Sequence, residues 1–236
     1  MTGISTYCLM GRPLEEALDH LAGITDLIEV MDEGPHFITD TDLFASYTGK
    51  FLIHAPFHGM NIACIFEEVR RASVRVMIDC FEVAGEIGAP VVLHPGYFAW
   101  EQEREAADRQ FARSLHELRA AADELSVTFY FENMGNMHFF NLRTPAELGM
   151  IGDTGFTLDT GHAHLNGCLP AFLAAPFSHM HIHDNNGKGD THNAVGEGTI
   201  DFGPVMAALR RTGATSVIEV KTLEGVKASL RMLDTL

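Results

Sequence analysis

Short apolar runs recur along the chain, and stretches with polar and apolar positions at helical spacing separate them. Each run is only five to seven residues long, which suits a strand buried on both faces. We therefore predict eight β-strands. They cover residues 3–8, 26–31, 51–56, 90–95, 127–133, 155–160, 179–184 and 216–220.

The clearest helical patterns cover residues 67–88 and 101–126. In the second, Phe111, Leu115, Leu118 and Ala122 recur at spacings of three and four, which predicts one buried helix face. Glycines at 88, 152 and 213 fall at or near expected helix ends, where a left-handed cap favours glycine.

Eight strands alternating with about seven or eight helices predict a parallel sheet. Eight βα units in 236 residues favour an α/β fold of the (β/α)8 TIM-barrel type, with short loops and a single domain over residues 1–236. An open doubly wound sheet is the alternative. It is disfavoured because the first βα turn, CLMGRP, has no glycine-rich phosphate fingerprint.

Composition narrows the class of protein. With 46% hydrophobic and 20% charged residues the chain is typical of a soluble globular protein, and no apolar run is long enough to span a membrane. Four scattered cysteines without a CxxC pair favour a reducing, cytoplasmic environment. The net charge of −16 disfavours nucleic acid and anionic membranes as partners.

Residue types that bind metals recur at the carboxyl ends of the last six predicted strands. In a parallel barrel these ends meet on one face, where active sites of this fold lie. The residues are His54, His94, Glu132, Asp159 with His162, His181 and Glu219.

Several carboxylates brought together in a barrel mouth would repel one another unless cations compensate them. Imidazole combined with carboxylate suits zinc or manganese. Asp190 and His192, in the motif DTH after the seventh strand, can fold back over the mouth and share an ion. The sequence therefore predicts a metal site.

The seventh strand carries three histidines at alternate positions, so all three should point into the barrel. Successive inward residues are about 6.6 Å apart, so they cannot all reach one ion. We expect His181 to be the ligand, His179 to lie deeper as a core residue or hydrogen-bond partner of a ligand, and His183 to orient substrate.

In chain order these motifs resemble the endonuclease IV family (AP endonuclease family 2) of the xylose-isomerase-like barrels. The motifs are HAPF (54–57), LHPG (93–96), EN (132–133), LDTGHA (158–163), HIHD (181–184), DTHNAVGEG (190–198) and IEV (218–220). The resemblance implies three zinc ions and phosphodiester cleavage at abasic sites in DNA repair. It also implies nine ligands: His54, His94, Glu132, Asp159, His162, His181, Asp190, His192 and Glu219.

The resemblance further implies catalytic roles for three of these residues. Glu132 would bridge two metals, and Asp159 and Glu219 would hold others and orient the attacking water. DNA itself is disfavoured, because the loop at 31–37 lacks the arginine that the family inserts into the duplex and because the chain is acidic. Phe57 and His58 could replace the family's other wedge residues in part, and Lys221 could contact an anionic substrate. A small phosphoester therefore reconciles these ligands with an acidic chain.

Two other hypotheses stay open. A sugar isomerase or epimerase of the same barrel group would use one manganese or other divalent ion, held by Glu132, Asp159, His181 and Glu219. A non-catalytic metal-binding module would close the site with protein ligands on every side.

Overall fold

The computed structural model describes residues 2–236 and contains a closed barrel of eight parallel strands. Each strand pairs with the next along the chain, and the eighth pairs with the first through Thr2–Ser216, Gly3–Val217 and Ile4–Ile218. The barrel prediction is confirmed, and the open doubly wound sheet is excluded.

All eight predicted strands are present, although most are shorter than expected. The strands are β1 (Thr2–Ser5), β2 (Leu27–Met31), β3 (Lys50–His54), β4 (Val91–Leu93), β5 (Phe129–Glu132), β6 (Gly155–Asp159), β7 (His179–Ile182) and β8 (Thr215–Ile218). Because the strands end early, His94 and Glu219 come directly after a strand, where the backbone is free to turn into a loop.

Seven α-helices are found within residues 2–236. They are α1 (Leu14–Ala22), α2 (Glu67–Ile87), α3 (Arg104–Leu125), α4 (Thr160–Leu165), α5 (Leu169–Ala174), α6 (Phe202–Thr212) and α7 (Leu223–Leu233). Strands β2 and β5 are followed by 3-10 turns only, whereas β6 is followed by two short helices. Gly88 and Gly213 end α2 and α6 with φ of 68° each, as the sequence predicts. No helix in the described part of the chain is long and apolar enough to cross a membrane.

Alternation along the strands separates two environments. In β2, Ile28 and Val30 belong to the large core between barrel and helices, whereas Leu27 packs inside the barrel with Leu52 and Val217. This small apolar cluster fills the amino-terminal end of the barrel. Most inward positions further along the strands are polar, so the barrel interior changes from apolar to mainly ionisable towards its carboxyl end.

Gly3 shows how tightly the amino-terminal end is packed. A Cβ added there would lie 2.3 Å from the carbonyl oxygen of Leu27 and 2.8 Å from its Cβ. We expect Gly3→Ala to lower the free energy of unfolding by about 1–3 kcal/mol, because a strand backbone cannot move aside. Urea denaturation measures this, with Gly11→Ala as the control, since nothing lies within 4 Å of a Cβ at Gly11. Equal stability of the two variants would contradict this account of the packing.

Candidate metal centre

The nine predicted ligands lie together at the carboxyl end of the barrel. Their contacts divide them into three groups. Glu132 belongs to the first two groups and contacts His162 of the third. The first group is His54, His94 and Glu132. The second is Glu132, Asp159, His181 and Glu219. The third is His162, Asp190 and His192, and His183 lies within reach of the same position.

In the first group, Oε2 of Glu132 lies 3.3 Å from Nε2 of His54 and 3.5 Å from Nε2 of His94. The Nδ1 of His54 is 2.9 Å from the carbonyl oxygen of Ala55, to which it can donate, and this leaves Nε2 to face the carboxylate. Ligands of a tetrahedral zinc ion with bonds near 2.0 Å are about 3.3 Å apart. The spacing of the first group therefore fits one ion.

The second group surrounds a buried histidine nitrogen with carboxylates. Nδ1 of His181 lies 3.4 Å from Glu132, 3.6 Å from Glu219 and 3.9 Å from Asp159. Within residues 2–236 this nitrogen has no hydrogen-bond partner, although the side chain is completely buried. Buried polar atoms are nearly always paired, so the arrangement fits a cation shared by the four side chains.

The third group is more open to solvent. Oδ2 of Asp190 lies 3.0 Å from Nε2 of His162 and 3.3 Å from Nε2 of His192. The Asp190 side chain is 38% exposed, against 5% for Glu219 and 0% for Asp159. A site with protein ligands on one side and solvent on the other is typical of catalytic metal sites, and structural sites are closed.

Local sequence explains how adjacent strands bring these residues together. The side chain of Asn133, in the motif EN, accepts from the backbone N–H of Asp159 and donates to its carbonyl oxygen. Asp159 in turn accepts from the backbone N–H of His162 and caps α4. The motifs EN and DTGH thus fix the second and third groups relative to each other.

A cavity of about 510 Å³ opens above the three groups. Seven of the nine predicted ligands line it, and Asp159 and His181 lie beneath them. The predicted substrate contacts Phe57, His58 and Lys221 also line the cavity. Whether these residues bind metal or substrate stays a prediction.

His183 has a different position from the one expected. Its Nε2 lies 3.0 Å from both carboxylate oxygens of Asp159, and its ring stacks on that of His192 with centroids 3.8 Å apart. The side chain is completely buried and is not part of the cavity wall. This position argues against the predicted contact of His183 with substrate. Gly161 leaves room for the ring, because a Cβ there would lie 2.0 Å from it.

Negative charge dominates the electrostatics of the site. Burial, the largest effect, acts to lower the pKa of His181, but the charges of Glu29, Glu219 and Glu132 raise that pKa well above its usual value. The pKa of His192 rises to about 9, because its contacts with Asp190 and Glu219 outweigh burial. Without metal the carboxylates therefore favour protonated histidines. Metal cations in place of these protons would compensate the same negative charge.

Two buried acidic residues at the site were not singled out from the sequence. Glu29 in β2 is completely buried beside His179 and His181. Burial acts to raise its pKa, but the two histidines hold that pKa well below its usual range. Asp184, which directly follows His183, accepts from the backbone N–H groups of Asn185, Gly196, Gly198 and Ile200.

Asp184 explains the motif GEG. Its four hydrogen bonds fold the segment 185–200, which carries Asp190 and His192, back onto the end of β7. A Cβ at Gly198 would lie 2.3 Å from the backbone oxygen of Asn185, so only glycine permits this close approach. His192 itself has φ of 45°, and its Nδ1 is 2.9 Å from the carbonyl oxygen of Glu219.

We expect Asp184→Ala to release the segment 185–200. The loss of four hydrogen bonds to a buried charge should cost about 3 kcal/mol or more of the free energy of unfolding. Hydrogen exchange followed by mass spectrometry should show faster exchange in peptides from 185–200, and zinc should raise the unfolding temperature less than in the unmodified chain.

Asp201→Ala is the matched control, since the Asp201 carboxylate caps α6 through the N–H of Gly203 and makes no contact with the segment's ligands. Exchange rates in 185–200 that are equal in both variants would contradict the role given to Asp184.

Comparison with known proteins agrees with the barrel fold. Residues 41–236 match the family described as xylose isomerase-like TIM barrel. A "Probable endonuclease 4" of Mycobacterium leprae is 30% identical over 220 residues, which are 85% of this chain and 84% of that protein. A solved structure titled "D-tagatose 3-epimerase-like protein" is 28% identical, with a TM-score of 0.91 over 99% of this chain and 96% of that chain.

The structure of a Thermus thermophilus protein, TTHB071, soaked with ZnCl2, is 27% identical, with a TM-score of 0.77 over 99% of this chain and 96% of that chain. By the match over most of its length and by its kinship with endonuclease 4, the chain belongs to the xylose isomerase-like TIM-barrel family.

Proposed function

We propose that the protein is a metal-dependent phosphoester hydrolase that binds up to three zinc ions. The observation that carries this proposal is the convergence of His54, His94, His162, Asp190 and His192 on one cavity. A single-ion enzyme would use the second group and leave these five residues without a purpose. Similarity to the endonuclease 4 of M. leprae supports the same interpretation.

Glu132, Glu219 and Asp159 have different roles in the proposed hydrolysis. Bound ions would supply a water of lowered pKa and neutralise the phosphate oxygens. Glu132 contacts His54 of the first group at 3.3 Å and His181 of the second group at 3.4 Å, so it suits a bridging role. Glu219 lines the cavity and can accept a hydrogen bond from the attacking water, whereas Asp159 below it holds the ligands in place.

The rim of the cavity favours a small phosphoester over DNA. Glu33, in the loop 31–37, accepts from the backbone N–H groups of Phe57 and His58 and also contacts the His58 ring. These contacts outweigh burial and hold the pKa of Glu33 below its usual value, so a carboxylate charge lies where the DNA-binding loop would be. Lys221 is the only lysine or arginine of the cavity wall in the described chain, which suits one phosphate and not a duplex.

Sugar epimerisation with one manganese or similar ion is the second candidate. The similarity to the D-tagatose 3-epimerase-like structure favours it, and so does the pair of glutamates, Glu132 and Glu219, that reach the cavity. The two reactions differ in which groups they need. Epimerisation requires the second group only, whereas the hydrolase requires all three.

Metal-free protein reconstituted with zinc or with manganese tests the proposal. We expect the zinc form to hydrolyse bis-p-nitrophenyl phosphate or p-nitrophenyl phosphate, with little action on a duplex containing an abasic-site analogue and none on a ketohexose. His192→Ala and Glu219→Gln should each lower phosphoester hydrolysis by at least about 100-fold, because each removes a ligand.

His116→Ala is the control for the loss of an imidazole, since His116 is exposed on α3. Turnover of a ketose by the manganese form that survives His192→Ala but not Glu219→Gln would replace the hydrolase with the epimerase. Cleavage of abasic DNA in preference to the small esters would overturn the substrate class alone.

A further inference from the structure

Glu29 lies on β2, which, like β1, supplies none of the nine predicted ligands, yet it is directly behind one of them. The side chain points into the barrel from the middle of β2 and is completely buried. One oxygen lies 3.0 Å from Nε2 of His181 and the other 3.0 Å from Nε2 of His179. Neither oxygen has a hydrogen-bond partner in the described chain, so the two contacts are ion-pair contacts between buried groups.

The partners of Glu29 are unusual for a buried carboxylate. Within residues 2–236 it makes ion pairs with these two histidines and with no lysine or arginine. Burying a carboxylate without compensation costs several kcal/mol, so a glutamate with a purely packing role would be costly here. The adjoining amino-terminal part of the barrel interior is filled by Leu27, Leu52 and Val217, so apolar side chains can pack next to this position.

The two nitrogens of His181 face opposite ways. Nε2 faces Glu29, and Nδ1 faces Glu132, Asp159 and Glu219. A neutral imidazole can bind a cation only through the nitrogen without a proton. A carboxylate at Nε2 stabilises the proton there, so Nδ1 keeps its lone pair for the metal.

His179 extends the same arrangement towards the amino-terminal end of the barrel. Its Nδ1 lies 2.7 Å from the hydroxyl oxygen of Thr215 and can accept from that hydroxyl. Its Nε2 then carries the proton that faces Glu29. Two N–H groups and one carboxylate thus form a consistent buried set, with Glu29 as its negative centre.

We propose that Glu29 is a positioning residue for the metal centre, which fixes the tautomer and the orientation of His181 so that Nδ1 binds the ion of the second group. The inference rests on the metal centre of the proposed function, but it holds for the hydrolase and the epimerase alike, since both use His181. Partners that orient a metal-bound histidine in this way usually strengthen metal binding.

Glu29→Gln removes the charge and keeps the shape of the side chain. We expect its affinity for zinc, and separately for manganese, to be about 10- to 100-fold weaker than in the unmodified chain. Competition with a chromogenic chelator measures the affinity, and circular dichroism of the metal-free proteins shows whether the variant is folded. Glu29→Asp, which keeps the charge but is shorter, should recover part of the affinity.

Asp32→Asn is the matched control. Asp32 is also a buried acid at the end of β2, but its carboxylate accepts from the N–H of Ile38 and makes no ion pair in the described chain. This variant should bind metal like the unmodified chain. A folded Glu29→Gln protein with unchanged metal affinity would overturn the inference and leave the proposed function standing. Failure of the unmodified chain to bind either metal would overturn both.

A second measurement needs no variant. Two-bond 1H–15N NMR spectra of the zinc-loaded, histidine-labelled chain report which ring nitrogen carries the proton. We expect the signal of His181 to show a protonated Nε2 and a metal-bound Nδ1. Zinc bound to Nε2 of His181 would overturn the inference even if Glu29→Gln did not fold.

Discussion

The structure depends on the compensation of negative charge at the carboxyl end of the barrel. Glu29, Glu132, Asp159 and Glu219 are almost completely buried there, and Asp190 adjoins them. Carboxylates at this density are stable only with cations or with protonated partners, and the raised pKa values of His162, His181 and His192 are the response of the chain itself. Metal ions would provide the same compensation and would leave the imidazoles neutral.

The barrel makes this concentration of charge sterically feasible. Strand closure brings His54 and Glu219 to one cavity although 165 residues separate them along the chain. Apolar side chains confine the ionisable residues to one end, and Asn133 and Asp184 use hydrogen bonds to backbone groups to hold the neighbouring loops. The result is a buried second group beneath and a partly exposed third group above, beside a cavity that leaves room for a substrate.

The sequence predicted the convergence of the strand-end residues, because one rule of parallel barrels governs it. Residues at the ends of parallel strands must converge, so His54, His94, Glu132, Asp159 and Glu219 could be assigned to one face from the order of the strands alone. The role of Glu29 was not predicted, because a lone glutamate in the run LIEVM has no partner nearby in sequence. The histidines that it contacts lie about 150 residues away. Period two could have identified it, since Leu27, Glu29 and Met31 share the inward face of β2.

The depth of the His183 side chain could not be predicted from the sequence. Alternation along β7 correctly predicts that its side chain points inward, but the depth of that side chain depends on the loop above it. The segment 185–200 brings His192 over the ring of His183. The local sequence pattern does not predict a stacking contact between two such segments. Inward direction is a property of the strand, whereas exposure to the cavity is a property of the loops.

The central claim is that three groups of side chains around Glu132 bind metal ions together. Anomalous diffraction from crystals grown with zinc, measured on both sides of the zinc absorption edge, tests it most directly. The account predicts three peaks in the cavity, one at each group, with Glu132 between the first and the second. A single peak among Glu132, Asp159, His181 and Glu219 at saturating zinc would contradict it.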